Sequence, residues 1–406
     1  MTVRALYPNL TPSLLLDFNR GRVVDPRVSF TRSSSATYTD AYGNLTEVSN
    51  NVPRFDHDPL TGVCMGLMIE GQRTNGITNP RFEGAVVGVI GSGGVLPTGM
   101  NTNATGLSTE VVSVGTLNGA PAVSIRIFGA SAPGIIVVNF PGSVTGTTGD
   151  NIVSSAYVYV SGGSLTNIGT TFWSSTSIGG SGISTTPQLS SSVARLTSSR
   201  VSTGTANGMH FRMNATAGNP VDITLTFSQP QHENAFSNNF ASSLILPPSG
   251  TLAASTRAAE SLVTNSIGSW FNNTTGSVVV QGSTRASGTQ PLVSLNDTTT
   301  NEQVNLYTSG TDPKFTVTDG GVTQTDLNGG TISANTRFKM GAAYAVNNFA
   351  CSINGGTSQT GTGTLPTVTQ MQIGTDAAGN QLQGYVERVA YYPERLTNSQ
   401  LENLTK

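Results

Sequence analysis

Along most of this chain apolar and polar residues alternate in short runs, each closed by glycine, proline or asparagine. In Ala156-Tyr157-Val158-Tyr159-Val160 one face carries Tyr157 and Tyr159 and the other Val158 and Val160, the period of two expected of a half-buried strand. Between Asn79 and Arg257 the same texture predicts strands at Thr109–Val114, Ala122–Phe128, Ile135–Phe140, Ile152–Val160, Thr166–Trp173, Ser192–Ser199, Gly208–Met213 and Val221–Phe227. Turn residues separate them at intervals of roughly ten to fifteen residues, the rhythm of an antiparallel sandwich. A linker, Pro247–Ser255, precedes a second series: Gly276–Gly282, Pro291–Asn296, Glu302–Thr308, Lys314–Thr318, Val322–Asp326, Thr336–Tyr344, Asn348–Ile353, Thr369–Ile373 and Gln383–Tyr392. Ile353-Asn354-Gly355-Gly356 predicts a hairpin turn, because Asn and Gly accept positive φ at little cost. One short helix is expected near the end, capped by Thr397, with Leu401 and Leu404 turned inward.

The first 78 residues read differently. Beyond the strand candidate Leu14–Phe18 alternation is poor, and charges recur among apolar positions: Asp25, Arg27, Arg32, Arg54, Asp56, Glu70 and Arg73. Burying an unpaired charge is costly, so such a segment reads as a junction built by polar pairing. Arg27, Arg32, Arg54 and Arg73 are expected to pair with Asp25, Asp56 and Glu70 and fasten this leader against the sandwiches. Arginine suits the task because its planar fork gives a carboxylate two hydrogen bonds. The competing reading is a set of independent surface charges, each worth under about 1 kcal/mol. The expected architecture is therefore all-β: two antiparallel β-sandwich (jelly-roll) domains, 79–258 and 259–406, preceded by an irregular anchoring segment, 1–78.

Composition narrows the function classes. Only 10% of the 406 residues are charged, against roughly 25% in an average globular chain. Disorder is excluded by the net charge of −2 and the recurring β-branched runs. The three lysines, Lys314, Lys339 and Lys406, form no basic cluster, which argues against nucleic acid. No stretch approaches the roughly 20 apolar residues of a membrane span. Cys64 and Cys351 have no metal-ligand spacing and read as free thiols. Met1–Pro8 lacks the apolar run of a secretory signal, so synthesis in a cytoplasm without a cleaved signal is expected.

Three segments resemble known families. Phe338–Tyr344, Phe349–Gly356, Gln372-Ile373-Gly374, Gln383–Tyr392 and the ending Pro393–Leu401 resemble a laminin G or concanavalin A-like lectin sandwich. Leu225–Phe236 resembles the closing strand and turn of a jelly-roll carbohydrate-binding module common in phage structural proteins, with His232 and Asn234 departing from its pattern. Ser255–Glu260 fits that module's exit segment. Asp25-Pro26-Arg27, Phe30-Thr31-Arg32, Ala36-Thr37-Tyr38, Pro53–Asp56 and Gly66–Glu70 resemble the leader that precedes such modules in tailed-phage virion proteins.

Catalytic signals are weak. His57 between Asp56 and Asp58 reads as a turn rather than an acid–base or metal site, and no zinc pattern or nucleophile elbow occurs. Glu387 and Glu394 do not read as the facing carboxylate pair of a glycosidase; Glu387, beside Arg388, is expected in a salt bridge or in solvent. No cofactor is expected. The lectin resemblance leaves room for one calcium ion among the turns holding Asp312, Asp319, Asp326 and Asp376. Sugar stacking needs aromatic faces, and the candidates are Tyr157, Tyr159, Trp173, Phe211, Trp270 and Tyr307, with Phe172, His210, Phe271 and Tyr344 beside them; filling the cores is their alternative role.

Together the resemblances imply a non-enzymatic fibre, spike or decoration protein on a tailed-phage virion. It would adhere to host-surface glycans, contact other virion proteins and form a homo-oligomer, with a trimer first. The alternatives are a purely structural head-decoration or neck protein and a polysaccharide depolymerase on the lectin-like fold.

Overall fold

The computed structural model describes residues 11–174, 189–203, 207–236, 238–285 and 288–406. The Met1–Pro8 stretch, read for a secretory signal, lies outside them. The protein is all-β, two antiparallel β-sandwiches with one short helix among the described residues. The chain divides into two compact units. One gathers the described residues up to Gly43, Val48–Gln72 and Ala258–Lys406; the other holds Asn44–Glu47 and Arg73–Arg257.

In the first unit an eight-stranded sheet runs Gln359–Gly361, Phe349–Ile353, Phe338–Ala345, Thr275–Thr284, Gly384–Tyr392, Cys64–Ile69, Phe55–His57, with Leu14–Asp17 also pairing to Gly384–Tyr392. Facing it is a seven-stranded sheet: Ser29–Thr31, Ser261–Thr264, Gln370–Ile373, Thr289–Asn296, Gln303–Ser309, Asp312–Asp319 and Val322–Asn328. The leader is therefore no separate irregular segment. Its strands complete both sheets, and Leu14, Leu16 and Phe18 alternate into a common core with Val280, Leu295, Phe315 and Val389. Poor alternation hid this because the strands are three to six residues long, too short for a period to register.

The hairpin at Asn354-Gly355 forms with φ of 47° and 75°, the paired positive values of a tight primed turn. The helix Asn398–Leu404 begins with a capping box: Thr397 Oγ1 accepts the Gln400 N–H at 3.3 Å, and Gln400 Oε1 accepts the Thr397 N–H at 2.9 Å. This helix lies on the outer face of the eight-stranded sheet. Gly341 lets it approach, since a Cβ there would stand 2.7 Å from Leu401 Cδ1.

The second unit packs a six-stranded sheet (Ala194–Val201, Asn151–Gly163, Val221–Asn234, Ala120–Gly129, Ser108–Leu117, Gly88–Val89) against a four-stranded one (Ile168–Ser174, Asn207–Ala215, Ile135–Val144, Asn101–Asn103). Phe140, Trp173, Phe211 and Phe227 meet edge to face at its centre, with ring centroids 5.0–6.0 Å apart. The expected linker is anchored to this unit. Arg81 Nε donates to Pro247 O and the Gly250 N–H donates to Glu83 Oε1, each at 2.7 Å.

Candidate binding site

Three of the six aromatic candidates are ruled out by burial. Trp173, Phe211 and Trp270 are 1%, 0% and 4% exposed, packed within the two cores, so no sugar reaches their faces. Trp173 also spends its N–H on Leu196 O at 3.1 Å. Strand patterning cannot separate an aromatic on the inner face from one on the outer face. Tyr157, Tyr159 and Tyr307 are half-buried. The two tyrosines of the first pair lie in the second unit and Tyr307 in the first.

The leader charges form a buried network with a different hub. Glu260 Oε1 accepts from Arg32 Nη1 at 2.9 Å and Arg54 Nε at 2.8 Å, while its Oε2 accepts from Arg54 Nη2 at 2.7 Å and the Glu70 N–H at 3.0 Å. Arg54 Nη2 also reaches Glu70 Oε2 at 3.0 Å. All four side chains are at most 1% exposed. Main-chain oxygens of Ser34, Val52, Ser49 and Thr37 take further guanidinium protons. Burial works against the Arg54 charge, but Glu260 and Glu70 outweigh it and raise its pKa.

The remaining members depart from the expected pairing. Arg27 and Asp25 pair with each other at the surface, 2.8 Å apart, and Arg27 Nη1 also donates to Ser13 O at 3.3 Å. Asp56 takes the Tyr385 hydroxyl and the Thr39 N–H, both at 2.6 Å, in place of an arginine. Arg73 belongs to the second unit, where Nη1 donates to Asn234 O at 3.2 Å and its guanidinium lies 6.0 Å from the rings of Phe236 and Phe240. His57 Nδ1 lies 3.1 Å from Thr39 O.

Glu387 is neither solvated nor paired with Arg388. A β-bulge sets Glu387 and Arg388 together opposite Gln281. The Glu387 carboxylate, 3% exposed, accepts from Arg337 Nε at 2.5 Å and from Asn19 Nδ2 and Gln281 Nε2 at 2.7 Å. Glu394 is exposed. Among the described residues no three His, Cys, Asp or Glu side chains gather as a metal site. Of the calcium candidates, Asp326 pairs with Lys314 at 3.2 Å, Asp319 accepts from Thr364, and Asp376 binds the turn at Ala378 and Asn380.

The bulge turns Arg388 outward. On the outer face of the eight-stranded sheet Lys339, Gln281 and Arg388 occupy one register row across three neighbouring strands. The next row places Val279 between Gly341 and Ala390, two small residues. The result is a depression of about 360 Å³, counted to its open mouth, lined by Val279, Gln281, Lys339, Arg388, Ala390, Tyr392 and Leu404. Val279 and Ala390 form its apolar floor, Leu404 of the helix one wall and Tyr392 another. Tyr392 is 5% exposed, and burial raises its hydroxyl pKa while Arg388 lowers it. Arg388 is exposed and, like the Tyr392 hydroxyl, has no hydrogen-bond partner among the described residues. Lys339 Nζ donates to the main-chain oxygen of Lys406.

None of these lining residues was a sequence candidate. The alternation Arg388, Ala390, Tyr392 marks one face of a strand, but nothing in the sequence says that Gln281 and Lys339 stand beside it.

No protein-family model matches the sequence, and no curated protein does. Solved structures similar in part include a sialidase CBM40 module from Ruminococcus gnavus bound to α2,3-sialyllactose. It is 16% identical, over 33% of this chain and 84% of that one, with a TM-score of 0.30. Domain 4 of a GH43 extracellular arabinanase from Geobacillus stearothermophilus, in complex with arabinotriose, is 13% identical over 43% and 83%, with a TM-score of 0.31. Trypanosoma rangeli sialidase in complex with the inhibitor DANA is 12% identical over 74% and 62%, with a TM-score of 0.27. Likenesses this distant carry no weight for function, which has to be read from the residues themselves.

Proposed function

We propose that this protein is a non-catalytic glycan-binding component on the surface of a tailed-phage particle, contacting host sugars through the depression beside Tyr392. The observation that carries the reading is the pairing of an apolar floor, Val279 and Ala390, with unspent polar groups on Tyr392 and Arg388. Apolar contact supplies affinity for the CH faces of a sugar, and the polar groups orient its hydroxyls. A non-catalytic role is favoured because the Glu387 carboxylate is held by three donors. The virion assignment rests on the leader, module and lectin-like resemblances occurring in that order. With it come other virion proteins as partners and a symmetric homo-oligomer, a trimer first.

Screening purified protein on a glycan array tests the binding role. Wild-type protein should bind, and Tyr392→Phe, which removes the hydroxyl and keeps the buried ring, should weaken binding about tenfold. Silence on every glycan would remove the reading, and release of reducing ends from polysaccharide would replace it with a depolymerase. Antibody labelling of intact particles tests the location.

A further inference from the structure

We infer that the depression selects an acidic glycan, with the carboxylate of a sialic or uronic acid residue seated on Arg388. This rests on the glycan-binding reading and specifies its ligand class. Lys339, Gln281 and Arg388 stand in one row across adjacent strands. At the usual strand spacing of about 4.8 Å, the row spans roughly 10 Å, a length suited to a sugar ring with its substituents.

The charge around the row is uneven. Two cations, Lys339 and Arg388, line the depression, and no carboxylate does. Glu387 lies beside Arg388 in sequence, but the carboxylate is 3% exposed and spent on Arg337, Asn19 and Gln281. Asp17 is the register partner of Arg388 on its other side, and there Oδ1 accepts the Arg20 N–H at 3.1 Å. Lys339 is tethered by the Lys406 main-chain oxygen, which leaves the Arg388 fork as the free cationic group. A guanidinium binds a planar carboxylate through two parallel hydrogen bonds, and the neighbouring Tyr392 hydroxyl can bond a ring hydroxyl. A second observation points the same way. Tyr392, 5% exposed, lines the depression, and its hydroxyl bonds to nothing among the described residues.

The experiment sets sialylated and uronic-acid oligosaccharides beside their own methyl esters, which differ only in the carboxylate charge, together with neutral oligosaccharides. Wild-type protein should bind the acids about tenfold or more above the esters, and added salt should weaken that preference. Arg388→Gln should abolish the difference while retaining ester binding, and Lys339→Gln should reduce it less. Both positions are on the surface of a formed sheet, and circular dichroism checks that the fold survives. Equal binding of acid and ester, or an unchanged preference in Arg388→Gln, overturns the acidic-ligand inference and leaves glycan binding standing. Absence of binding to acids, esters and neutral sugars alike overturns the glycan reading itself.

Discussion

The two sandwiches solve the same problem by different means. The second is nearly continuous in sequence, and its core is closed by four aromatic rings in edge-to-face contact. The first is assembled from separated stretches, with leader strands completing both sheets of a fold whose remainder begins some 190 residues further on. At that seam sits the buried network of Arg32, Arg54, Glu70 and Glu260, an arrangement absent from the aromatic core. Apolar contact is non-directional and tolerates shifts, whereas a fork bonded to a carboxylate accepts one geometry. The second unit also buries charged groups, Arg73, Arg257 and Glu233, bonded to Asn234, Ser243 and Ser242. The difference is that the first unit joins its distant stretches through one arginine–carboxylate hub.

The sharpest way to break this contrast is Glu260→Ala. Removing the hub strands two buried guanidinium groups, and a loss of about 3–5 kcal/mol is expected. Denaturation followed through Trp270, the tryptophan of the first unit, measures it; a loss below about 1 kcal/mol would reduce the network to ornament. Phe211→Ala in the second unit should cost about 3 kcal/mol through the cavity left among Trp173 and Phe227, read through Trp173 fluorescence.

Thiol labelling separates the units further, because both cysteines lie in the first. Burial pushes the Cys351 thiol up to about 12, so it should stay unlabelled at neutral pH until that core opens. Cys64, half-buried, should react sooner.

Two aspartates should respond oppositely to acid. The bond from Arg27 holds Asp25 below its ordinary value of 3.8, so its contribution is present above that value and fades as pH falls through the folded pKa. Burial raises Asp56 above 3.8 despite the Thr39 hydrogen bond, so its contribution is full below 3.8 and is lost as pH rises through the folded pKa. On acidification the advantage of wild type over Asp25→Asn should shrink, and that over Asp56→Asn should grow, in urea unfolding series from neutral to acid pH. The smallest effect is expected for Arg27→Ala, within about 0.5 kcal/mol, because the pair is exposed.

Much of the fold was legible because the strand signal is local. Tyr157, Val158 and Tyr159 announce their alternation without reference to the rest of the chain, and Thr397 with Gln400 carries its own cap. Asn354-Gly355 likewise names its turn, since positive φ is a property of the residues that occupy it. The site was far less legible. Arg54 and Glu70 could be marked as charges needing partners, yet Glu260, 206 residues from Arg54, could not be selected among the other acids.

Tertiary structure decided which face of each strand turned inward, and thus sent Trp173, Phe211 and Trp270 into the cores and left Tyr392 on the rim of a depression. It also brought Lys339, Gln281 and Arg388 abreast, through pairing across three strands and one bulge. Sequence determines such local preferences because they depend on a few neighbouring dihedrals and side chains. Burial and cross-strand neighbourhood depend on the whole set of pairings, which exists only once the sheets have formed.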